Sequence, residues 1–375
     1  TIVTNLRAII DKEITGHGII TFARFMELAL YCPNFGYYEH LERSPGRRGD
    51  FYTSVSVGSL FGELLAAQFA EWLEAVPQKE RQIVEAGAHD GQLARDILHW
   101  LQRNHRELSD SLEYWILEPS ERRRQSQGER LREFGEKVKW FTEWGAVPGT
   151  GVNGIIFSNE LLDAMPVHRL GWNAAKREWF EWGVGTEEGK FVWKRMHQFQ
   201  VSSFKFQGEG RAFFELNWSE ELLAVLPDGF TTEICPAAVD WWRQAAAALR
   251  AGRLLTFDYG LEAEEFFAPE RKDGTLRAYH AHRLSVDLLA EPGEQDLTAQ
   301  VNFTAIRDAG EGAGLVTESF VTQGQFLMSM VQKLAETPEA AGWLVSRNRE
   351  LQTLTHPEHL GSRFRVLTQS RGLGA

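Results

Sequence analysis

From about residue 82 the chain alternates short apolar runs with amphipathic stretches, as strands and helices do in turn. Gln82-Ile83-Val84-Glu85-Ala86 is a strand-length run that ends at glycines, and Leu93 to Leu101 repeats its apolar positions at helical spacing. Tyr114-Trp115-Ile116-Leu117 is a second run, closed by Glu118-Pro119, with a third at Val138–Phe141 and a fourth at Gly154–Ser158. A later unit passes from a helix over Ala237–Leu249 into a strand over Arg253–Asp258. A last strand is expected over Leu315–Phe320, followed by a helical tail. Continuous apolar strands joined by helices predict an α/β fold, a doubly wound and mostly parallel sheet covered on both faces.

Two regions interrupt this alternation. Residues 1–76 read as mostly helical, with Phe22, Phe25, Met26, Leu28 and Ala29 on one face and a second amphipathic run from Leu60 to Leu73. Between Val167 and Leu226 short aromatic runs are separated by turn signals at Asn173 and Glu188-Gly189, as in an antiparallel meander. Five of the thirteen tryptophans lie there: Trp172, Trp179, Trp182, Trp193 and Trp218. This stretch is expected to form an inserted lid or wall. The predicted organisation is a helical region over 1–76, a cofactor-binding half over 77–166, an aromatic insertion over 167–230, and the remainder of the sheet with its tail over 231–375.

Composition narrows the function classes. With 375 residues, 43% of them hydrophobic, and a mean hydropathy of −0.33, the chain has ample length for a large core. No window approaches the roughly 18 apolar residues of a membrane span, so no membrane insertion is expected. The net charge of −12 argues against a nucleic-acid partner. Cys32 and Cys235 are too few for a disulfide framework or a cysteine-built metal site, so no metal is expected. A reducing compartment follows, the cytoplasm, or the mitochondrial matrix if a leader has been removed. A homodimer is compatible with the sequence, which leaves the oligomeric state open.

The candidate chemistry sits at strand ends. Glu85-Ala86-Gly87-Ala88-His89-Asp90-Gly91 follows a strand and precedes a helix, where Gly87 and Gly91 let the backbone turn and approach a ligand. The spacing is Glu-x-Gly-x-x-x-Gly rather than the Gly-x-Gly-x-x-Gly that cradles a pyrophosphate. A nucleoside cofactor without phosphate, S-adenosylmethionine, suits it better than a nicotinamide dinucleotide. Glu118 ends the next strand, placed to accept both ribose hydroxyls. The fourth strand ends in Ser158-Asn159-Glu160-Leu161-Leu162-Asp163. Its plain structural reading is a helix cap by Asn159 with acids complementing the dipole.

At these residues the chain resembles the MidA-like family of class I S-adenosylmethionine-dependent methyltransferases, which includes a mitochondrial arginine methyltransferase that assists respiratory complex I assembly. The resemblance rests on Gly36-Tyr37-Tyr38, Gly49-Asp50-Phe51-Tyr52-Thr53-Ser54 and Phe61-Gly62-Glu63. It continues through Asn159 to His168, Glu233-Ile234-Cys235-Pro236-Ala237 and Asp258-Tyr259-Gly260, then Gly274-Thr275-Leu276-Arg277 and Asp296-Leu297-Thr298-Ala299. It implies S-adenosylmethionine as cofactor, covered by the loop of Gly49, Asp50, Phe51, Thr53 and Ser54 and lined by Glu85, Gly87, Glu118, Asn159 and Glu160. Without the resemblance, Gly49-Asp50 reads as a turn before a helix capped by Ser54 or Ser56. The chain departs from the family at Ala88 and His89, where Pro and Gly are usual, at Val55-Ser56, and at Gln300 and Asn302.

Methyl transfer to a guanidinium needs carboxylates that bind it, align one nitrogen and accept a proton. Glu160 is the first candidate, with Asp163 and Glu233 behind it. His168 is a further possible proton acceptor, though a lone His entering a strand is more often structural. The expected substrate is a methyl acceptor, a protein arginine or a small molecule. The rival readings are an O- or N-methyltransferase of small molecules and a cofactor-binding assembly factor without transfer.

Overall fold

A computed structural model describes residues 5–40, 53–76, 80–196, 220–280, 283–335 and 338–373. Contacts divide the chain into two compact units. One comprises Thr1–His40, Ala164–Ala237 and Glu262–Asn302; the other comprises Leu41–Asp163, Ala238–Leu261 and Phe303–Ala375. The four consecutive stretches expected from the sequence are thus regrouped. Helices Leu6–His17 and Phe22–Tyr31 fall with the aromatic insertion in one unit, and helix Leu60–Glu74 falls with the two halves of the parallel sheet in the other.

The larger unit is built on strands β1 (Arg81–Ala86), β2 (Leu112–Leu117), β3 (Val138–Phe141), β4 (Val152–Asn159), β5 (Leu249–Leu261), β6 (Val316–Thr322) and β7 (Phe364–Arg371). They lie in the order β3-β2-β1-β4-β5-β7-β6. β1 to β5 are parallel, and only β7 runs antiparallel to its neighbours β5 and β6. This is the predicted doubly wound α/β sheet. Helices α1 (Leu60–Glu74), α2 (Gln92–Asn104), α3 (Glu121–Leu131) and α4 (Gln323–Leu334) belong to the same unit. α2 buries Leu93, Ala94, Ile97, Leu98 and Leu101, the face its periodicity predicts. These side chains join Phe61, Leu65 and Phe69 of α1, with Ile83, Tyr114, Ile155 and Phe257 from the strands, in one core.

β7 corrects the sequence reading, which expected a helical tail after β6. The helices Gln323–Leu334, Pro338–Ser346 and Asn348–Thr355 are present, but the chain then returns as a strand between β5 and β6. Thr368, Gln369 and Ser370 are buried there although polar. Gln369 accepts from Trp242 Nε1 at 2.8 Å and donates to Arg307 O and Thr317 Oγ1, each at 2.9 Å. Phe364, Val366 and Leu367 are buried in the same strand, but they form no continuous apolar run to announce it, and Thr368 Oγ1 is left without a hydrogen-bond partner.

The smaller unit is antiparallel. Strands 168–173, 178–187 and 190–195 form the predicted aromatic meander, joined by 20–21 and 231–234. A three-stranded sheet of 277–280, 283–285 and 296–298 accompanies it. Its core is Phe22, Phe25 and Met26 with Val184, Leu276 and Leu297.

Candidate functional site

The strand order reverses between β1 and β4, and open α/β sheets bind ligands beyond the carboxyl ends of their strands at such a reversal. β1 delivers Glu85 there. Its side chain is buried, and the Tyr114 hydroxyl bonds Oε2 at 2.6 Å. Burial, with Asp90 and Asp96 nearby, pushes its carboxyl up to about 8 against the opposing Tyr114 bond. The loop that follows turns through Gly87 at φ +72°, where a Cβ would come within 3.0 Å of Leu161 Cδ1. His89 holds the same left-handed region at φ +48° despite its side chain. Asp90 then accepts the Gln92 N–H at 3.0 Å at the start of α2 and pairs with Arg130 at 2.9 Å. One N–H of the helix start that could cradle a phosphate is therefore taken by an acid, and Gly91, at φ +82°, is the N-cap that makes the turn into the helix.

Glu118 stands one residue past β2 and is buried. Its Oε1 accepts from the Ser120 N–H at 3.0 Å and its Oε2 from Gln127 Nε2 at 3.1 Å.

The turn after β4 is the most constrained part of the site. Glu160 adopts φ +54°, and its N–H donates to Phe257 O at 2.8 Å. Asp258, one residue beyond the Asn159–Phe257 register pair, is fully buried. It accepts the N–H groups of Leu161 at 3.2 Å and Leu162 at 2.8 Å on Oδ2, and that of Tyr259 at 2.9 Å on Oδ1. Burial, and then the neighbouring Glu160, hold its carboxyl up at about 7. Asn159 Nδ2 donates to Glu160 Oε1 at 3.2 Å, while Asn159 Oδ1 is buried with no hydrogen-bond partner. Asp163 closes the segment, buried.

The larger unit thus holds Glu85, Gly87, Gly91, Glu118, Asn159, Glu160 and Asp163 at the ends of adjacent strands. Gly49, Asp50 and Phe51 lie outside the described residues. Thr53, rather than Ser54 or Ser56, caps the short helix Ser54–Val57, in a reciprocal pair with Ser56. Ser54 is buried and donates to Gln323 at 2.9 Å. His168 and Glu233 belong to the antiparallel unit. His168 Nδ1 lies 2.6 Å from Glu181 Oε1, both buried. Glu233, paired in register with Arg169, accepts from Thr275 N at 2.7 Å and Thr275 Oγ1 at 2.9 Å. Burial raises its carboxyl against the pull of the Thr275 bonds and Arg169.

Residue-by-residue reading missed Asp258 and Gln127. Asp258 carried a signal, an acid closing an apolar strand as Glu118 does; Gln127, on a polar helix, carried none. Among the described residues no His, Cys, Asp and Glu group could hold a metal.

A family model for S-adenosyl-L-methionine-dependent methyltransferases matches residues 64–321. The mitochondrial protein arginine methyltransferase NDUFAF7 homolog of Drosophila melanogaster is 28% identical over 395 residues, covering 96% of this chain and 84% of its own. Its Xenopus tropicalis counterpart is 28% identical over 397 residues, covering 96% and 85%. A Burkholderia thailandensis protein whose crystal structure holds S-adenosyl-homocysteine superposes with a TM-score of 0.81 at 31% identity, over 99% of this chain and 92% of that one. With the family match spanning most of its length and the fold shared, the chain belongs to this family and is an S-adenosylmethionine-dependent methyltransferase.

Proposed function

We propose that the enzyme holds its cofactor along the carboxyl ends of β1, β2 and β4 and methylates a protein arginine, with Glu160 orienting the guanidinium and removing its proton. Three features support the fit to S-adenosylmethionine. The orphaned Asn159 Oδ1 suits an ammonium or hydroxyl donor. Glu118 suits a pair of vicinal hydroxyls. The carboxyls of Glu85 and Asp258 are raised by burial and then by neighbouring acids, and a cation bound beside them would favour their ionised form. By sequence resemblance, Thr53 and Ser54 belong to the loop that covers the cofactor, together with Gly49, Asp50 and Phe51.

Bound S-adenosylmethionine supplies an electrophilic methyl group on a sulfonium. The chain supplies position and charge. Glu118 accepts the ribose hydroxyls, Gly87 lets the backbone approach, and Asn159 accepts a donor beside them. Glu160 binds a cationic acceptor, fixes one nitrogen for in-line attack and takes the released proton on its carboxylate.

The observation that carries this reading is the Glu160 turn. A charged residue in the left-handed region, pinned through its own N–H and through the two that follow, is backbone strain concentrated at one strand end. Asp163 is the second candidate for the proton. His168 is engaged in a buried pair with Glu181 and Glu233 is held by Thr275, and we assign them no step. The arginine acceptor draws support from the names of the curated relatives. Those names also make the mitochondrion the first compartment to test by fractionation.

The test incubates the purified enzyme with methyl-labelled cofactor and cell extract. Label recovered in methylarginine after hydrolysis of protein is the expected result. Label confined to small molecules overturns the arginine reading and favours the small-molecule alternative.

A further inference from the structure

Helix α3 turns an unusual face inward. Surface helices bury an apolar stripe, but the buried positions of this one, four residues apart, are Arg123, Gln127 and Leu131. Gln127 is completely buried. Its Nε2 donates to His89 O at 2.9 Å and to Glu118 Oε2 at 3.1 Å, and its Oε1 accepts from Trp140 Nε1 at 3.0 Å. One amide therefore ties the loop after β1, the acid after β2 and a tryptophan on β3.

The orientation of that amide is not arbitrary. An indole N–H only donates, so the atom facing Trp140 is the oxygen. The NH₂ group is then turned onto the two acceptors, a carbonyl and a carboxylate. The contact with His89 falls on a residue held at φ +48°. The same helix reinforces the loop one turn on, where Arg130 pairs with Asp90 and Leu131 packs over Gly91.

We propose that Gln127 is a positioning residue of the cofactor site, whose amide aims the Glu118 carboxylate at the ribose hydroxyls and holds the His89 turn beside it. This rests on the assignment of Glu118 to the ribose. Gln127 on Oε2 and the Ser120 N–H on Oε1 hold the carboxylate through both oxygens. Without the amide the Oε2 side loses its tether, and hydroxyl recognition weakens while the rest of the ligand is still bound.

The experiment is calorimetric titration with S-adenosylhomocysteine and with its 3′-deoxy analogue, on the parent and on the Gln127→Met, Glu118→Ala and Trp140→Phe variants. Met keeps volume and removes both donors. The expected result is that Gln127→Met weakens S-adenosylhomocysteine about tenfold, the size of one hydrogen bond to a charged group, and the deoxy analogue much less. The preference for the hydroxyl then shrinks. Trp140→Phe, which releases the amide to turn, shifts the preference the same way by less, and it carries the test if Gln127→Met does not fold. An equal loss for both ligands would make Gln127 a structural prop and overturn the proposal, as would no loss for either. If Glu118→Ala leaves the hydroxyl preference of the parent intact, it is the ribose assignment of Glu118 that fails, a different outcome from a failure at Gln127 alone.

Discussion

In the parallel-sheet unit, the buried acids Glu85 and Asp258 are bonded by a tyrosine hydroxyl and by three backbone N–H groups, and the charges that shift them belong to Asp90, Asp96 and Glu160. In the antiparallel unit, buried acids face basic side chains: Glu181 meets His168, and Glu233 lies opposite Arg169, with Arg277 also near. Glu181 is paired as a stable core asks of an ionisable group, whereas Glu233 keeps Oε1 without a hydrogen-bond partner. At the strand ends burial first, and then neighbouring acids, disfavour the charged form, so Glu85 and Asp258 hold their protons up to about 8 and 7. Under the proposed placement of the cofactor, its sulfonium and ammonium would favour the ionised form of these carboxyls.

The sharpest way to break that contrast is Glu160→Gln, which keeps the shape of the turn and removes its charge. Methyl transfer should fall by about a hundred- to ten-thousandfold, the range of general acid–base catalysis, while S-adenosylhomocysteine affinity is kept. Transfer at the parent rate would remove Glu160 from the chemistry, and a parallel loss of affinity would make it a cofactor ligand. Next in size is Glu118→Ala, expected to weaken S-adenosylhomocysteine about ten- to a hundredfold, from the roughly 1.5–3 kcal/mol of hydrogen bonds to a charged group. Titration calorimetry on the folded variant decides it.

On the other side of the contrast, Glu181→Gln should act on folding alone. Disturbing a buried hydrogen-bonded partner of His168 should cost about 1–3 kcal/mol, read from denaturant midpoints, with cofactor affinity unchanged. A loss of affinity without a loss of stability would contradict the division of labour between the two acid sets.

The smallest effect is a pH dependence. Glu85, with a carboxyl near 8 in the folded enzyme and an ordinary value of 4.5, keeps its proton where the unfolded chain has released it. Protons therefore favour the folded state between those values, and stability falls as pH rises from about 4.5 to 8. Glu85→Gln should flatten the upper part of that decline, measured as unfolding free energy at several pH values. Asp258, near 7, and Asp96, near 6, act with the same sign and leave a residual slope. A parent whose stability rises over this range would refute the raised carboxyls.

The strand–helix alternation was legible because parallel strands buried on both faces must be apolar throughout, and Ile83-Val84, Tyr114 to Leu117 and Ile155 to Phe157 are. The position of the glycine loop, Glu118 and Asn159-Glu160 at strand ends was legible because each directly follows one of those runs. The aromatic meander announced itself through turn residues between short β-prone runs. What local pattern could not supply is any contact that depends on distant chain. The carboxyl half of β7 is polar in sequence yet buried in space, where Trp242, Arg307 and Thr317 satisfy Gln369. Gln127 looks like a solvent-facing helix residue until His89, Glu118 and Trp140 converge on it. The separation of Glu233 and His168 from the other candidate acids follows from chain segments 1–40, 164–237 and 262–302 gathering into one unit. Periodicity and turn chemistry are local and survive in the sequence, whereas the partners that make a buried polar group tolerable are chosen only when the chain closes on itself.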